Sequence, residues 1–356
     1  MNETGTILFV SGSLVRGGAQ RVLTMLANKY AAKGWTVHIA VLLADEIGYP
    51  LADTIYIHKI VRSGNQIKNT PAWISYIRKI MREITPDVVI SFAGRINIMT
   101  MLAARGTGIP VLVSERNDPA RDRRSKPEQW LCKQFYKRAD KVVFQTKYQA
   151  RYYEKWCKNN SVIIGNPISA PVYTGEHKCK DIICVGKLMD QKNHPMMIHA
   201  FRQIADEFPD RSVYIFGEGK KRAALGALVK ECGLEERVFL PGNSDHIFDI
   251  MHENEFFVMC SDYEGLSNAL LEAMISGMVC VSTAWNGVEE VVRDGVNGYL
   301  TPVGDAELLA VKLRQVLRAD NEAIRKHGIE TAKQFTGDQI MEQWVSVIDG
   351  LAGRSK

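Results

Sequence analysis

The chain has 356 residues, of which 46% are hydrophobic and 24% charged, as is usual for soluble globular proteins. This length favours two domains of ordinary size over a single core. No apolar run is long enough to span a bilayer, and residues 1–10 lack the basic region and long apolar segment of a signal peptide. We therefore expect a cytoplasmic protein.

The net charge of +5 is distributed unevenly along the chain. Residues 1–170 carry 25 Lys and Arg against 12 Asp and Glu, a net charge of +13. Residues 171–356 carry 20 against 28, a net charge of −8. This asymmetry indicates that the first half contacts something anionic, which is a membrane surface, a lipid diphosphate or a nucleic acid.

Short apolar strands alternate with helical segments through the first half of the chain. The predicted strands are 6–10, 36–42, 55–60, 87–92, 110–114 and 141–145. Residues 20–32, followed by Gly34, form a typical helical segment. The alternation predicts a doubly wound parallel sheet. It stops before residues 169–180, which are polar and rich in turn formers and are interpreted as a linker.

A second alternating series follows the predicted linker. Its strands are 182–186, 212–217, 238–240, 256–260, 279–282 and 298–301, with helices at 194–207, 219–232, 269–277 and 305–318. The last helical segment, 338–349, carries apolar side chains on one face. We expect a first domain over 1–168, a second over 169–335 and a terminal helix within 336–356, with the two domains facing a cleft.

Gly17 and Gly18 lie between the first strand and the first helix. Glycines in this position let the backbone approach a phosphate or a sugar beside the helix amino end. A purely structural tight turn explains them equally well. The Gly-x-Gly-x-x-Gly spacing is missing and no acidic residue closes the second strand, which disfavours an NAD-dependent oxidoreductase.

Lys187 and Lys192 follow the first strand of the second domain. Two cations five residues apart on a loop at the carboxyl end of a strand can clamp a diphosphate without a metal ion. Taken alone, the two lysines are equally compatible with solvated surface charges. The chain has no Asp-x-Asp pair, and its seven cysteines show no paired metal-ligand spacing, so neither a metal nor another cofactor is expected.

The stretch 260–298 has the pattern of a strand, a loop, a helix and a strand. Glu264 stands in the loop and Glu272 in the helix, so both can face one crevice at the edge where open α/β sheets bind ligands. Ser267 and Asn268 are good N-cap residues, which leave the positive end of the helix dipole open to an anion. Two carboxylates there suit the hydroxyl groups of a polyol. An ordinary surface helix with solvated glutamates is the alternative.

The sequence from Glu264 onward, Glu-Gly-Leu-Ser-Asn-Ala-Leu-Leu-Glu-Ala-Met, resembles the E-x7-E signature of retaining glycosyltransferases of family 4. Phe-Gly-Glu-Gly at 216–219, Pro-Gly-Asn at 241–243 and the segment 286–300 match the family in the same order. The resemblance covers most of the chain. It implies an α/β fold of the GT-B type, with two Rossmann-like domains facing a cleft and a C-terminal helix that crosses back to the first domain.

The resemblance also implies a role for each matching residue. Glu264, Lys187 and Lys192 are the implied catalytic residues, the carboxylate holding donor sugar hydroxyls and the lysines neutralising the departing diphosphate. The implied donor-binding residues are Gly17, Gly18, Gly217, Gly265, Leu266, Ser267, Asn268 and Glu272. Family members usually have an Arg at the position of Lys187. The lysine ammonium is a point charge, whereas an arginine guanidinium can form two parallel hydrogen bonds to a phosphate.

The acceptor side follows from the basic half of the chain. Many family members place a His near the reacting carbon, whereas this chain has Glu115 and Arg116 there, and we expect one of them to face the cleft. Arg78 and Arg82 belong to a basic amphipathic run, 73–82, which suits an anionic headgroup or an acceptor diphosphate. The alternative is that the apolar residues of this run pack in the core and its charges are solvated.

A second basic run with aromatic residues, 121–138, includes Trp130. In sequence detail, Ile-Ser-Phe at 90–92, Asn97 and Ser-Glu at 114–115 are similar to bacterial enzymes that add N-acetylhexosamine to polyprenyl diphosphate-linked oligosaccharides. These likenesses imply an acceptor that is linked to a lipid diphosphate.

The predicted function is a retaining, metal-independent transfer of a hexose or N-acetylhexosamine from a nucleotide sugar, with UDP as the expected nucleotide. The acceptor would be a lipid-linked glycan or a surface polysaccharide precursor. The enzyme would work at the anionic inner face of the cell membrane, without a nucleic acid partner. Two alternatives stay open. One is a soluble glycosyltransferase on a small acceptor, and the other is a non-catalytic module that binds anionic lipid or nucleic acid.

Overall fold

The computed structural model describes residues 4–44, 46–60, 66–122, 124–173 and 175–353. The chain folds into two compact units, Met1–Pro167 with Asp338–Lys356, and Ile168–Gly337. Each unit has one parallel sheet with helices on both faces. Two parallel α/β sheets are what the alternation of strands and helices predicts.

Among the residues described for the first unit, seven strands form the sheet. They are β1 (Thr6–Ser11), β2 (Thr36–Val41), β3 (Tyr56–Lys59), β4 (Val88–Phe92), β5 (Val111–Ser114), β6 (Lys141–Phe144) and β7 (Ser161–Ile163). All neighbours are parallel, in the order β3-β2-β1-β4-β5-β6-β7. The order changes direction between β1 and β4, and open α/β sheets bind ligands at the carboxyl ends of strands at such a switch point.

Helices cover both faces of this first sheet. They are α1 (Gly18–Ala32), α2 (Gln66–Ile84), α3 (Gly94–Ala104), α4 (Lys126–Tyr136) and α5 (Lys147–Cys157). Helices α2 to α5 bury one face, and α1 packs on the other. Trp73, Ile77 and Ile80 of α2 lie fully inside the core. The apolar side chains of this basic run are therefore core contacts, the second of the two interpretations of its sequence.

The second unit has a six-stranded sheet. Its strands are β8 (Cys179–Val185), β9 (Val213–Phe216), β10 (Val238–Gly242), β11 (Asn254–Met259), β12 (Val279–Thr283) and β13 (Tyr299–Thr301). All neighbours are parallel, in the order β10-β9-β8-β11-β12-β13. The switch point lies between β8 and β11. Both strands are apolar and buried near their carboxyl ends, as expected for a sheet that is covered on both faces.

In the part of the second unit that the structure describes, six α-helices cover the sheet. They are α6 (His194–Arg202), α7 (Arg222–Glu231), α8 (Ile247–Glu253), α9 (Asn268–Ile275), α10 (Ala306–Arg318) and α11 (Glu322–Lys333). Helices α6, α7 and α10 share one apolar core with the sheet, and α8, α9 and α11 share the other.

Several elements differ from the sequence predictions. Strand β7 and helices α8 and α11 are additional, and α11 buries only Gly328 and Ala332, so its sequence carries little periodic signal. Strand β8 begins inside the predicted linker, 169–180. Two other residues of this segment are held on the second unit, since Tyr173 N donates to Ile275 O at 3.0 Å and His177 Nε2 lies 2.8 Å from Gly277 O.

The C-terminal helix, α12 (Gly337–Ala352), packs on the first unit. Trp344 is 0% exposed, and its ring centroid lies 5.9 Å from that of Phe92. Tyr30 Oη donates to Asp349 Oδ1 at 2.7 Å, and Lys33 Nζ lies 2.7 Å from Asp349 Oδ2. The predicted return of the last helix to the first domain is confirmed. Within the described ranges, no helix has both the length and the apolar content that crossing a bilayer requires.

We expect Trp344→Ala to lower the free energy of unfolding by about 3–5 kcal/mol, because it leaves a large cavity under α12. Urea denaturation followed by circular dichroism measures this change. Gln343→Ala, at an exposed neighbouring position of the same helix, is the matched control and should stay within about 0.5 kcal/mol of the wild type. Equal stability of the two variants would contradict the packing role of Trp344.

Candidate active site

Two loops leave the second sheet at its switch point. One follows β8 and carries Lys187 and Lys192, and the other follows β11 and carries Glu264. Because β8 and β11 are parallel neighbours, both loops leave the same edge of the sheet. The structure therefore brings together charged residues that are more than 70 positions apart in sequence.

An ion pair joins the two loops. The Lys192 ammonium donates to Glu264 Oε1, and Ser261 Oγ donates to the same oxygen at 2.7 Å. The side chains of Lys192 and Glu264 are only 18% and 9% exposed. Within the described ranges, Glu264 Oε2 has a single long contact, 3.5 Å from Gln191 Nε2. One carboxylate oxygen is thus saturated by the protein, and the other can accept from a ligand.

Lys187 lies at the same edge and is exposed. Its ammonium makes no ion pair with any residue that the structure describes. Helix α9 also begins at this edge, where Ser267 is the N-cap and its Oγ accepts from Leu270 N at 3.4 Å. An anion here would meet a lysine cation and the positive end of a helix dipole.

The remaining residues of the predicted donor loop are mostly buried. Leu266 packs in the core beneath α9, and Gly265 beside it is buried as well. Asn268 and Glu272 lie four positions apart and share a face of α9. Glu272 is buried, and in the described part of the chain Asn268 Oδ1 is a buried acceptor without a hydrogen bond.

Two glycines let the loop after β9 cross the loop after β8 at very short range. Gly217 has φ +139°, and a Cβ there would lie 2.0 Å from Gly186 O. A Cβ at Gly219 would lie 2.4 Å from Leu188 O. Leu188 N donates to Glu218 O at 3.0 Å, which joins the two loops. Backbone packing alone therefore requires glycine at 217, and its predicted contact with the donor stays a prediction.

His194 packs beside the same loop, a role that was not predicted from the sequence. It is buried at the start of α6, next to the backbone of Gly186 and Lys187. Burial, and secondly the charge of Lys192, lower the pKa of His194 to about 4. The imidazole is therefore neutral at physiological pH. A lone histidine in a sequence does not indicate such a packing role, because the role depends on burial in the folded structure.

In the first unit, Gly17 and Gly18 begin helix α1. Gly17 is the N-cap, with φ 177° and ψ 160°, and Gly17 O accepts from Arg21 N at 2.9 Å. Any residue type can adopt this extended conformation. The backbone therefore does not by itself require glycine here, and the predicted contact with the donor stays a prediction.

Glu115 lies at the end of β5 and is 1% exposed. Its Oε2 accepts from Arg124 Nη1 at 2.8 Å, from Tyr136 Oη at 3.0 Å and from Tyr153 Oη at 3.3 Å. Its Oε1 accepts from Arg116 N at 3.0 Å. Both oxygens are thus used within the protein. Glu115 anchors the loop that leads to α4 and does not offer an open carboxylate.

Arg116 is the more accessible of the two alternatives at the end of β5. It is half-buried, its Nη2 donates to Asn166 Oδ1 at 2.6 Å, and its guanidinium carbon lies 5.7 Å from the centre of the Phe92 ring. Burial lowers the pKa of Arg116 to about 9, although the charge of Glu115 opposes this shift. Arg116 is therefore still a cation at neutral pH.

Arg78 and Arg82 lie at the opposite edge of the first sheet. Arg78 Nε donates to Ala103 O at 2.9 Å and its Nη2 to Leu102 O at 2.8 Å, which ties α2 to the end of α3. Both arginines line a cavity of about 490 Å³ beside the amino ends of β4 and β5. The structure does not bring them to the edge that carries Arg116, so the four predicted acceptor-side residues occupy two separate places.

Two sequence families match the chain one after the other. The family described as Glycosyltransferase Family 4 matches residues 16–170, and the family described as Glycosyl transferases group 1 matches residues 171–335. The second match contains Lys187, Lys192 and Glu264. Together the two matches cover every strand of both sheets except β1.

Two similar proteins come from Campylobacter jejuni. One, the "GalNAc-alpha-(1->4)-GalNAc-alpha-(1->3)-diNAcBac-PP-undecaprenol alpha-1,4-N-acetyl-D-galactosaminyltransferase", is 28% identical over 367 residues, which cover 96% of this chain and 98% of that protein. The other, the "N-acetylgalactosamine-N,N'-diacetylbacillosaminyl-diphospho-undecaprenol 4-alpha-N-acetylgalactosaminyltransferase", is 26% identical over 358 residues, which cover 94% and 96%.

Solved structures share the fold. HepE of Anabaena, in complex with UDP and glucose, superposes with a TM-score of 0.82 at 17% sequence identity, covering 97% of this chain and 100% of that one. Sucrose-phosphate synthase of Thermosynechococcus elongatus gives a TM-score of 0.85 at 17% identity, covering 98% and 100%. The predicted fold and family resemblance are thereby confirmed. The chain belongs to the GT-B glycosyltransferases that combine a family 4 domain with a group 1 domain.

Proposed function

We propose that this glycosyltransferase moves a hexose or an N-acetylhexosamine from a UDP-sugar to a lipid diphosphate-linked glycan or a surface polysaccharide precursor. The anomeric configuration is retained and no metal ion takes part. One observation carries the proposal. Lys187, Lys192 and Glu264 stand together at the switch point of the second sheet, where helix α9 also begins.

The donor diphosphate is proposed to lie beside Lys187 and the amino end of α9. A hydrogen bond to a charged group is worth about 1.5–3 kcal/mol. A helix end contributes less, about 0.3–1 kcal/mol. Lys187 is therefore the main partner of the diphosphate, because Lys192 already neutralises Glu264. The UDP in the HepE complex supports UDP as the nucleotide.

The sugar end of the donor is proposed to lie at Glu264 and the ribose at Glu272. Glu264 Oε2 can accept from a sugar hydroxyl, since its one polar contact among the residues that the structure describes is the 3.5 Å approach of Gln191 Nε2. Glu264 lies in the loop that leads into α9, and Glu272 lies in α9 itself. One continuous segment of the chain would therefore bind both the sugar and the ribose of the donor.

Transfer is proposed to break the bond between the anomeric carbon and the phosphate oxygen of the donor. The acceptor hydroxyl oxygen bonds to that carbon on the same face, and its proton passes to the departing phosphate oxygen. UDP and the extended glycan are the products. Lys187 stabilises the negative charge that develops on the diphosphate. No protein carboxylate is needed as the base, which agrees with the closed hydrogen-bonding of Glu115.

The acceptor assignment is supported by the two Campylobacter relatives, whose names specify undecaprenol diphosphate-linked substrates. They match this chain over nearly its whole length. The net charge of +13 over residues 1–170 suits an acceptor that carries a diphosphate and lies in an anionic membrane. Arg116 is the proposed cation of the first unit on the acceptor side.

Membrane contact is proposed through the amino ends of α2 and α4. Trp130 is 60% exposed and Ile67 is 73% exposed. Arg95 connects their helices, because its Nη2 lies 3.4 Å from Thr70 Oγ1 and its Nε lies 3.9 Å from Glu128 Oε1. A tryptophan beside basic residues suits the interface of an anionic bilayer. A soluble enzyme on a small acceptor would need no such contact.

We expect UDP to stabilise the protein in a buffer that contains EDTA. A ligand at 100 times its Kd adds about 2.7 kcal/mol to the free energy of unfolding of the state that binds it. Thermal unfolding with UDP, GDP, ADP and NAD measures the effect and its selectivity. A response to UDP that appears only with a divalent cation would contradict the metal-independent site, and no response of the folded protein would contradict the donor assignment.

We expect Glu264→Gln to slow transfer by between about 10- and 100-fold, because it removes a charge-assisted hydrogen bond to the donor sugar. UDP binding should be retained or become tighter, since Lys192 is released from its ion pair. Formation of UDP from UDP-N-acetylgalactosamine, with a polyprenyl diphosphate-linked oligosaccharide as acceptor, measures the rate. Full activity of the folded variant would contradict the proposed role of Glu264.

We expect Trp130→Ser to weaken binding to vesicles of anionic phospholipid by about 10-fold, because burial of a large side chain is worth about 1.5–3 kcal/mol. Flotation with vesicles measures the bound fraction. Val311→Ser, which changes a 58% exposed side chain of the second unit, is the matched control and should bind like the wild type. Equal binding of all three proteins would argue against this surface.

A further inference from the structure

We propose that Gln191 is a positioning residue for Glu264, and that it sets the orientation of the carboxylate oxygen that receives the donor sugar. This inference rests on the proposed function, because it concerns the sugar end of the same site. Nothing in the lysine or glutamate signatures of the sequence singles out this glutamine.

Gln191 joins the β8 loop to the β11 loop through three contacts. Its Nε2 donates to Tyr263 O at 2.8 Å and approaches Glu264 Oε2 at 3.5 Å, and its backbone oxygen accepts from Asp262 N at 2.8 Å. Asn193 adds a further link between the loops, since its Nδ2 donates to Asp262 Oδ1 at 2.8 Å. Asp262, Tyr263 and Glu264 are thereby held against the β8 loop.

The carboxylate of Glu264 needs two points of contact to be fixed. Its Oε1 is held by Lys192 and by Ser261, whose own carbonyl accepts from Thr283 Oγ1 at 2.6 Å. The last torsion of a glutamate is broad, so a carboxylate held at one oxygen can still rotate about its terminal bond. Gln191 supplies the second point at Oε2. Its distance of 3.5 Å leaves that oxygen able to accept a sugar hydroxyl.

The amide group is the chemical feature that this position requires. A nitrogen with two hydrogens can donate to the Tyr263 carbonyl and to Glu264 together. A carboxylate at 191 would be repelled by both oxygens. A methionine has a similar length and no donor, so Gln191→Met removes the hydrogen bonds and keeps most of the packing.

We expect Gln191→Met to weaken the binding of the UDP-sugar by about tenfold and to leave the Kd of UDP within about twofold of the wild type. The loss corresponds to one net hydrogen bond. UDP lacks the sugar, so it does not report on the orientation of Glu264. Isothermal titration of the full chain with UDP, UDP-glucose, UDP-N-acetylglucosamine and UDP-N-acetylgalactosamine measures these affinities. The quantity to compare between variants is the ratio of the UDP-sugar affinity to the UDP affinity. Gln203→Met, at the exposed C-cap of α6, is the matched control.

A double-mutant cycle separates positioning from a merely structural role. If Gln191 acts through Glu264, adding Gln191→Met to Glu264→Gln changes the UDP-sugar affinity no further. Additive losses, or an equal loss of UDP and UDP-sugar affinity in Gln191→Met, would overturn the inference. If the wild type binds UDP-sugars and Gln191→Met binds them equally well, only this inference fails. If the folded wild type binds neither UDP nor a UDP-sugar, the proposed function fails and this inference fails with it.

Discussion

The ion pair between Lys192 and Glu264 is the interaction on which the candidate site depends. It joins two loops that come from neighbouring strands, and breaking a buried pair of this kind typically costs about 3–5 kcal/mol. The stem of Lys192 lies over Gly186, where a Cβ would come within 3.3 Å of it, so the lysine is positioned by packing as well as by charge. Both contacts lie within the protein, so they order the two loops as the chain folds.

The two units use their carboxylates in different ways. In the first unit Arg124 and two tyrosine hydroxyls donate to one oxygen of Glu115 and the backbone N–H of Arg116 donates to the other. The residue is only 1% exposed, so it does not offer a carboxylate oxygen to a substrate. In the second unit Glu264 shares one oxygen with Lys192 and keeps the other open. The same residue type at the end of a parallel strand is thus a structural anchor in one sheet and a candidate ligand group in the other. The hydrogen-bond donors around each carboxylate, and not its position in the fold, determine which of the two roles it has.

Sequence reasoning succeeded where local pattern and topology decide the outcome. Buried parallel strands are continuous apolar runs, so their positions could be predicted, and the meeting of Lys192 with Glu264 follows from two strand ends at one edge. It is less informative where tertiary contacts decide the partners of a side chain. Arg78 is as basic as any candidate ligand, yet its guanidinium binds backbone carbonyls of α3. The partner of Glu115 is nine residues away at Arg124, a spacing that no strand or helix period indicates. Helix α11 buries too few apolar side chains to be recognised.

The position of α12 has a consequence for biosynthesis. This helix buries Trp344 against the first unit, but it is synthesised only after the whole of the second unit. At a synthesis rate of about 5–20 residues per second, the roughly 170 residues between the two parts of that unit take about 10–30 s to make. During this time Phe92 lacks its contact with Trp344. The second unit, whose sequence is continuous, can complete its core before the first unit does.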